Sequence, residues 1–169
     1  MTVKRVLRTI FILMILGSNI ACDQISKNIV RQKIDYYEQI NLMSHYITLT
    51  KVENSGAFLG LGDFLPHPLK VVFLIIMPFI FMGLAIYYLL TKSNLSNLTI
   101  FAICCMAGGG IGNLFDRLLY GSVTDFLHID FILFQTGILN LADISLMMGT
   151  FMLVGEFYFK RAHIISIGK

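Results

Sequence analysis

Charge is what this sequence has least of. Lysine and arginine together number 13 and aspartate and glutamate 10 in 169 residues, 14% of the chain, against 56% hydrophobic residues and a mean hydropathy of +0.76. A soluble globule of this size needs far more polar surface to cover itself. The solvent is therefore lipid. Cysteine is also scarce: Cys22, Cys104 and Cys105 all fall in apolar runs, and the last two are helix neighbours that point apart. No disulfide framework is readable. His45, His67, His128 and His163 are scattered, and neither C-x-x-C nor H-E-x-x-H accompanies them. That leaves no pattern for a structural metal.

What is present is a set of long apolar runs. About 20 apolar residues cross a bilayer, and four segments approach that length: 5–25, 69–90, 98–118 and 138–159. Residues 1–169 are expected to form a single membrane-embedded domain, with 26–68 and 119–137 on the extracytoplasmic side. Pro78 lies within the second run and predicts a kink. The first run follows Lys4, Arg5 and Arg8 and ends in SNIAC, like a secretory leader. Asn19 stands where a lipobox wants an aliphatic residue, so this segment is read as a retained first helix.

Basic residues cluster at the termini and in the 91–97 loop: Lys4, Arg5, Arg8, Lys92, Lys160, Arg161 and Lys169, with Glu156 as the acid nearby. By the positive-inside rule that side is cytoplasmic. The other nine acids fall on or near the opposite side. There HYITLTKV alternates with the period of a strand before an Asn54-Ser55-Gly56 turn, and Val123 to Phe134 is a second strand-like run. Paired, they would form a small β platform for an extended peptide. The expected fold is mainly α, a polytopic membrane protein with four transmembrane helices and this platform on the extracytoplasmic side.

Ionisable groups in or beside a span are costly and so are candidates for function. Four clusters qualify. Asp23 and Lys27 share a helix face at i and i+4, as an interfacial ion pair also would. Glu53 to Phe58 is a turn in which Gly56 allows close backbone approach and Asn54 can both donate and accept. In GGGIGNLFDR, Gly108 and Gly112 suit close helix packing, while Asn113, Asp116 and Arg117 share a face. Last come Asp125 in VTDF and, opening the fourth helix, Asn140 and Asp143 in LNLAD.

Two carboxylates in a partly dry site cannot both ionise easily, so one keeps a proton while the other can take one from water. That is the chemistry of an aspartyl protease. The pair is drawn from Asp116, Asp125 and Asp143. Asp116 sits beside Arg117 and one turn from Asn113, a setting for a permanently ionised structural acid. Asp143 is therefore paired with Asp125.

In this order and spacing the clusters resemble the boxes of the lipoprotein (type II) signal peptidases: D-Q-x-x-K at Asp23–Lys27, a shortened N-x-G-x-x-F at Asn54–Phe58, G-G-x-x-G-N-x-x-D-R at Gly108–Arg117, then V-x-D-F at Val123–Phe126 and N-x-A-D at Asn140–Asp143. The resemblance covers nearly the whole chain. It implies a bacterial inner-membrane endopeptidase that cuts diacylglyceryl-modified prolipoproteins before the lipidated cysteine, with Asp125 and Asp143 catalytic and no cofactor. Its partners would be that substrate and membrane lipid, with no nucleic acid and the protein a monomer. Both termini would be cytoplasmic and the site would lie near the extracytoplasmic face. By the same analogy Asp23, Lys27, Asn54, Gly56, Asn113, Asp116, Arg117, Asn140 and Ala142 would shape the pocket or support the dyad. Two departures stand out: only Ala57 separates Gly56 from Phe58, and Leu139 replaces a common Phe.

A small transporter or proton relay is the main alternative, since intramembrane acids also mark ion paths. Its acids should lie at several depths, whereas these gather at one face. A metal-dependent lipid-head-group transferase would want acids grouped on one helix face, such as D-x-x-D, and no span carries that. A non-catalytic assembly factor would have less reason to keep the acid pair.

Overall fold

The computed structural model describes residues 3–43, 46–57, 60–131 and 135–167. In chain order the elements are α1 (Val3–Lys33), β1 (Ile40–Leu42), β2 (Ile47–Asn54), α2 (His67–Val71), a π-helical turn (Val72–Ile76), α3 (Met77–Thr91), α4 (Asn97–Tyr120), β3 (Val123–Asp130), β4 (Gln135–Leu139) and α5 (Leu141–Ile167). α2, the π turn and α3 run on as one helix. Four helices are thus long and apolar enough to cross a membrane, at Val3–Lys33, His67–Thr91, Asn97–Tyr120 and Leu141–Arg161.

The helices are sorted by lipid contact. The most apolar, His67–Thr91, has a mean hydropathy of 2.5 and is the least buried, whereas over half of the most apolar stretch of α4 is buried. Phe79, Ile80, Phe151 and Phe157 point outward, as side chains can when lipid is the solvent. α4 is the hub. Ser96 caps its start by accepting the Thr99 N–H at 3.0 Å, and Gly121, at φ +78°, ends it by returning its N–H to the Arg117 carbonyl.

Glycines let the neighbours close on that hub. A Cβ on Gly108 would stand 2.7 Å from Asn19 Cβ, and one on Gly112 would stand 2.5 Å from Asp23 Oδ2, so α1 lies against this face. A Cβ on Gly109 would collide with the Ala142 carbonyl oxygen, so the first turn of α5 rests there. Pro78 lacks an N–H, and its helix loosens into the π turn just before it, where the Met77 N–H reaches the Val72 carbonyl.

At the end of the bundle where α1 and α4 finish and α5 begins lies a four-stranded antiparallel sheet, in the order β1-β2-β3-β4. The expected pairing of the two strand-like runs is present as β2 on β3, with Ile47 opposite Ile129 and Asn54 opposite Val123. A bulge between Leu49 and Val52 bends the ladder. Three features differ from the sequence reading. α1 runs on to Lys33 rather than stopping near 25, β1 and β4 add two edges, and the last helix begins at Leu141 because Gln135–Leu139 is a strand. Phe134, the end of the second run, lies outside the described residues.

Candidate active site

α1 continues past the apolar run because Asp23, Lys27 and Arg31 recur every four residues on one face and are matched from α4. The Lys27 ammonium lies 2.8 Å from Asp23 and 2.9 Å from Asp116, and Arg31 lies 3.0 Å from Asp116. Lys27 and Asp116 are fully buried and Asp23 is 1% exposed. Any one of these charges alone would cost several kcal/mol to desolvate. Two acids against two bases make a neutral cluster. Gln24 completes it, donating to Asp23, Asp116 and the Gly112 carbonyl at 3.1 Å each. Arg31 was not among the candidates from sequence, although the four-residue repeat contains the signal for it, and Gln24 stood in the D-Q-x-x-K box with no role assigned.

The start of α5 is built from outside as well as within. Asn140 caps it: its Oδ1 accepts the Asp143 N–H at 2.9 Å, while Asp143 Oδ2 accepts the Asn140 N–H at 3.3 Å. This is a capping box with an aspartate in the third position. Asp23 Oδ1 reaches over from α1 to take the orphan Ala142 N–H at 2.9 Å. The other end of the Asn140 amide donates to Asp125 Oδ1 at 2.6 Å. One buried side chain therefore touches both members of the candidate pair.

Asp125 is 3% exposed, on β3. Asn54, at the end of β2, donates to its Oδ2 at 2.8 Å and turns its own Oδ1 back to accept the Gly56 N–H at 3.0 Å. Burial lifts the Asp125 carboxyl to about 6, against the Asn54 hydrogen bond and with the neighbouring Asp143 charge pushing the same way. Asn113 Nδ2 donates to Asp143 Oδ1 at 2.8 Å. Arg117 donates to the Gly56 carbonyl at 2.8 Å, pinning the turn to α4. A Cβ on Gly56 would stand 2.7 Å from the Gly60 and Leu61 backbones, so only glycine fits the fold of that turn.

Asp125 and Asp143 both line a cavity of about 940 Å³ with Asn54, Asn113 and Arg117; its remaining wall is mostly apolar, from Phe73, Pro78 and Phe81 of the second span to Met147 of α5. A second, more polar groove of about 630 Å³ runs along the sheet past Thr48, Thr50, His128 and Thr136, and it too reaches Asn54 and Asp125. The carboxyl of Asp125 thus sits where an apolar chamber and a polar trough meet. Asp116 and Asp23 lie in the ion cluster, and Ala142, in the first turn of α5, packs against Gly109 and Gly112 of α4. Phe58 lies outside the described residues. Among the described residues no three His, Cys, Asp or Glu side chains stand together as they would around a metal ion.

The family described as signal peptidase (SPase) II matches residues 13–159. A protein of Wigglesworthia glossinidia brevipalpis named lipoprotein signal peptidase is 32% identical over 146 residues, 85% of this chain and 90% of that one. A protein of the same name from Streptococcus pyogenes serotype M5 is 35% identical over 136 residues, 80% of this chain and 84% of that one. In fold, a bacterial membrane enzyme solved by the in meso method at 2.3 Å superposes with a TM-score of 0.81 at 24% identity, over 90% of each chain.

Proposed function

Since the chain belongs to the signal peptidase II family and so is a membrane protease of lipoprotein processing, we propose that it cuts diacylglyceryl-modified prolipoproteins before the lipidated cysteine, using water activated by Asp125 and Asp143. The observation that carries this reading is the Asn140 bridge, which joins two acids at the meeting of an apolar and a polar cavity. A lipoprotein precursor has the same division: lipid and signal peptide are apolar, and the mature segment beyond the cysteine is polar.

Asp143 is the base. It sits in the first turn of α5, where the helix dipole favours a negative charge, and it accepts two N–H bonds that do the same. Asp125, lifted by burial, is the member that carries the proton. Asp143 removes a proton from water as the water oxygen bonds to the scissile carbonyl carbon. Asp125 meanwhile gives its proton to the carbonyl oxygen. When the tetrahedral intermediate collapses, the C–N bond breaks, Asp143 passes its proton to the leaving cysteine amine, and Asp125 recovers the hydroxyl proton. With one proton on the pair, its net charge of −1 is matched by the half-buried Arg117.

The basic residues at the termini and in the 91–97 loop support a reading with both ends in the cytoplasm and the dyad near the outer face of the inner membrane. The protein is expected to work as a monomer. Mass spectrometry of the products from a diacylglyceryl-modified precursor in detergent tests the cut: the new N-terminus should be the lipidated cysteine, and the unlipidated precursor should remain whole. Cleavage at another bond, or of both precursors equally, overturns the reading.

A further inference from the structure

The mechanism above gives Lys27 no part, yet it is the largest side chain among those fully buried. Its ammonium meets three acceptors, one for each proton: Asp23 Oδ2 at 2.8 Å, Asp116 Oδ2 at 2.9 Å and Asn113 Oδ1 at 2.9 Å. An ammonium only donates. It therefore fixes which way the Asn113 amide faces, with oxygen toward Lys27 and Nδ2 toward Asp143 Oδ1 at 2.8 Å. A flipped amide would set N–H against ammonium on one side and carbonyl oxygen against carboxylate on the other.

We propose that Lys27 is a positioning residue for the hydrolysis, acting through the Asn113 amide to keep Asp143 oriented and ionised as the base. The inference rests on the dyad reading and adds to it a residue outside the cavity wall. The carboxylates of Asp23 and Asp116 hold the ammonium in place. Other charged or titratable groups around Asp143 do not supply this bond. From α4, Arg117 is turned to the Gly56 and Asn113 carbonyls. From β3, Asp125 is an acid itself. From α3, Tyr87 and Tyr88 line the same cavity toward the other end of the helix. From α1, Asp23 is spent on Lys27 and the Ala142 N–H.

Asn113→Asp separates the two halves of this relay, because the isosteric carboxylate still accepts from Lys27 but has no N–H for Asp143. With the diacylglyceryl-modified precursor in micelles, kcat should fall by at least about 100-fold while KM stays within about threefold. The acidic limb of kcat/KM should also move to higher pH, since the base has lost a donor that favours its charged form. In the Asn113→Asp background, Lys27→Met should cost no further turnover, because its route to Asp143 is already cut.

A purely structural Asn113 would leave Asn113→Asp with the unaltered rate and pH profile, and that result overturns the proposal. A multiplicative further loss on adding Lys27→Met overturns it too. If Lys27→Met does not accumulate, leaving Asp23 and Asp116 without their cation, the Asn113→Asp profile decides alone. Asp143→Asn serves as reference. Should that variant turn over normally, the dyad reading itself fails; should it be inactive while Asn113→Asp is unshifted, only the relay fails.

Discussion

α1 and α4 meet twice, and the two meetings are made of different materials. In one half of the bundle Ile12 and Leu16 of α1 pack with Ile100, Cys104 and Ala107 of α4 and Leu89 of α3. At the other end the same pair of helices is joined by Asp23, Lys27, Asn113 and Asp116. In lipid, apolar contacts gain no hydrophobic driving force and are held by close packing alone. They tolerate small shifts. Hydrogen bonds among buried charges are directional and leave little room for one, which suits the end that has to place two carboxyl groups.

This contrast can be sharpened from both sides. The larger effect is expected at the polar end and depends on pH. Asp125 titrates near 6 instead of the ordinary 3.8, so the folded state holds its proton more tightly than the unfolded chain does. The stability this gives is complete below the ordinary value and is lost as pH rises through about 6. Two units correspond to about 3 kcal/mol. Thermal unfolding in detergent should show that slope, and Asp125→Asn should flatten it; an unchanged slope in the variant would assign it to another group.

The smaller effect belongs to the apolar half. Leu89→Ala leaves a cavity where Leu89 is fully buried and should lower stability by about 2 kcal/mol, near the bottom of the range for such changes because lipid offers no transfer gain. Turnover per folded molecule should not move. If kcat falls with stability, the two halves are coupled through the helices and the division drawn here is wrong.

Much of this arrangement was legible in the sequence. Apolar runs gave four spans, and the alternation of HYITLTKV with the strand-like run from Val123 to Phe134 gave the central strand pair, because these patterns extend over enough residues to be distinctive. The failures have local causes. α1 was cut short at 25 since hydropathy registers only the apolar run, while Asp23, Lys27 and Arg31 continue the helix on a charged face that Asp116 of α4 stabilises. Ile138 and Leu139, the end of β4, were merged into the last helix because they are as apolar as the residues that follow. β1 is three residues long, too short to show any period. At the site, spacing put Asn140 and Asp143 on one turn, but that the Asn140 amide would also reach Asp125 depends on the pairing of β3 with β4.

We propose that Asp125 and Asp143 carry out the chemistry while Asp116, with Asp23, holds the scaffold. Initial rates of precursor cleavage by Asp125→Asn, Asp143→Asn and Asp116→Asn, each normalised to folded protein, test it most directly. The first two should lose at least about 1000-fold in turnover while remaining folded. Asp116→Asn, which removes a charge facing Lys27 and Arg31, should lose stability and retain turnover in the molecules that fold. Turnover that survives Asp125→Asn or Asp143→Asn, or that disappears only with Asp116→Asn, would contradict the account.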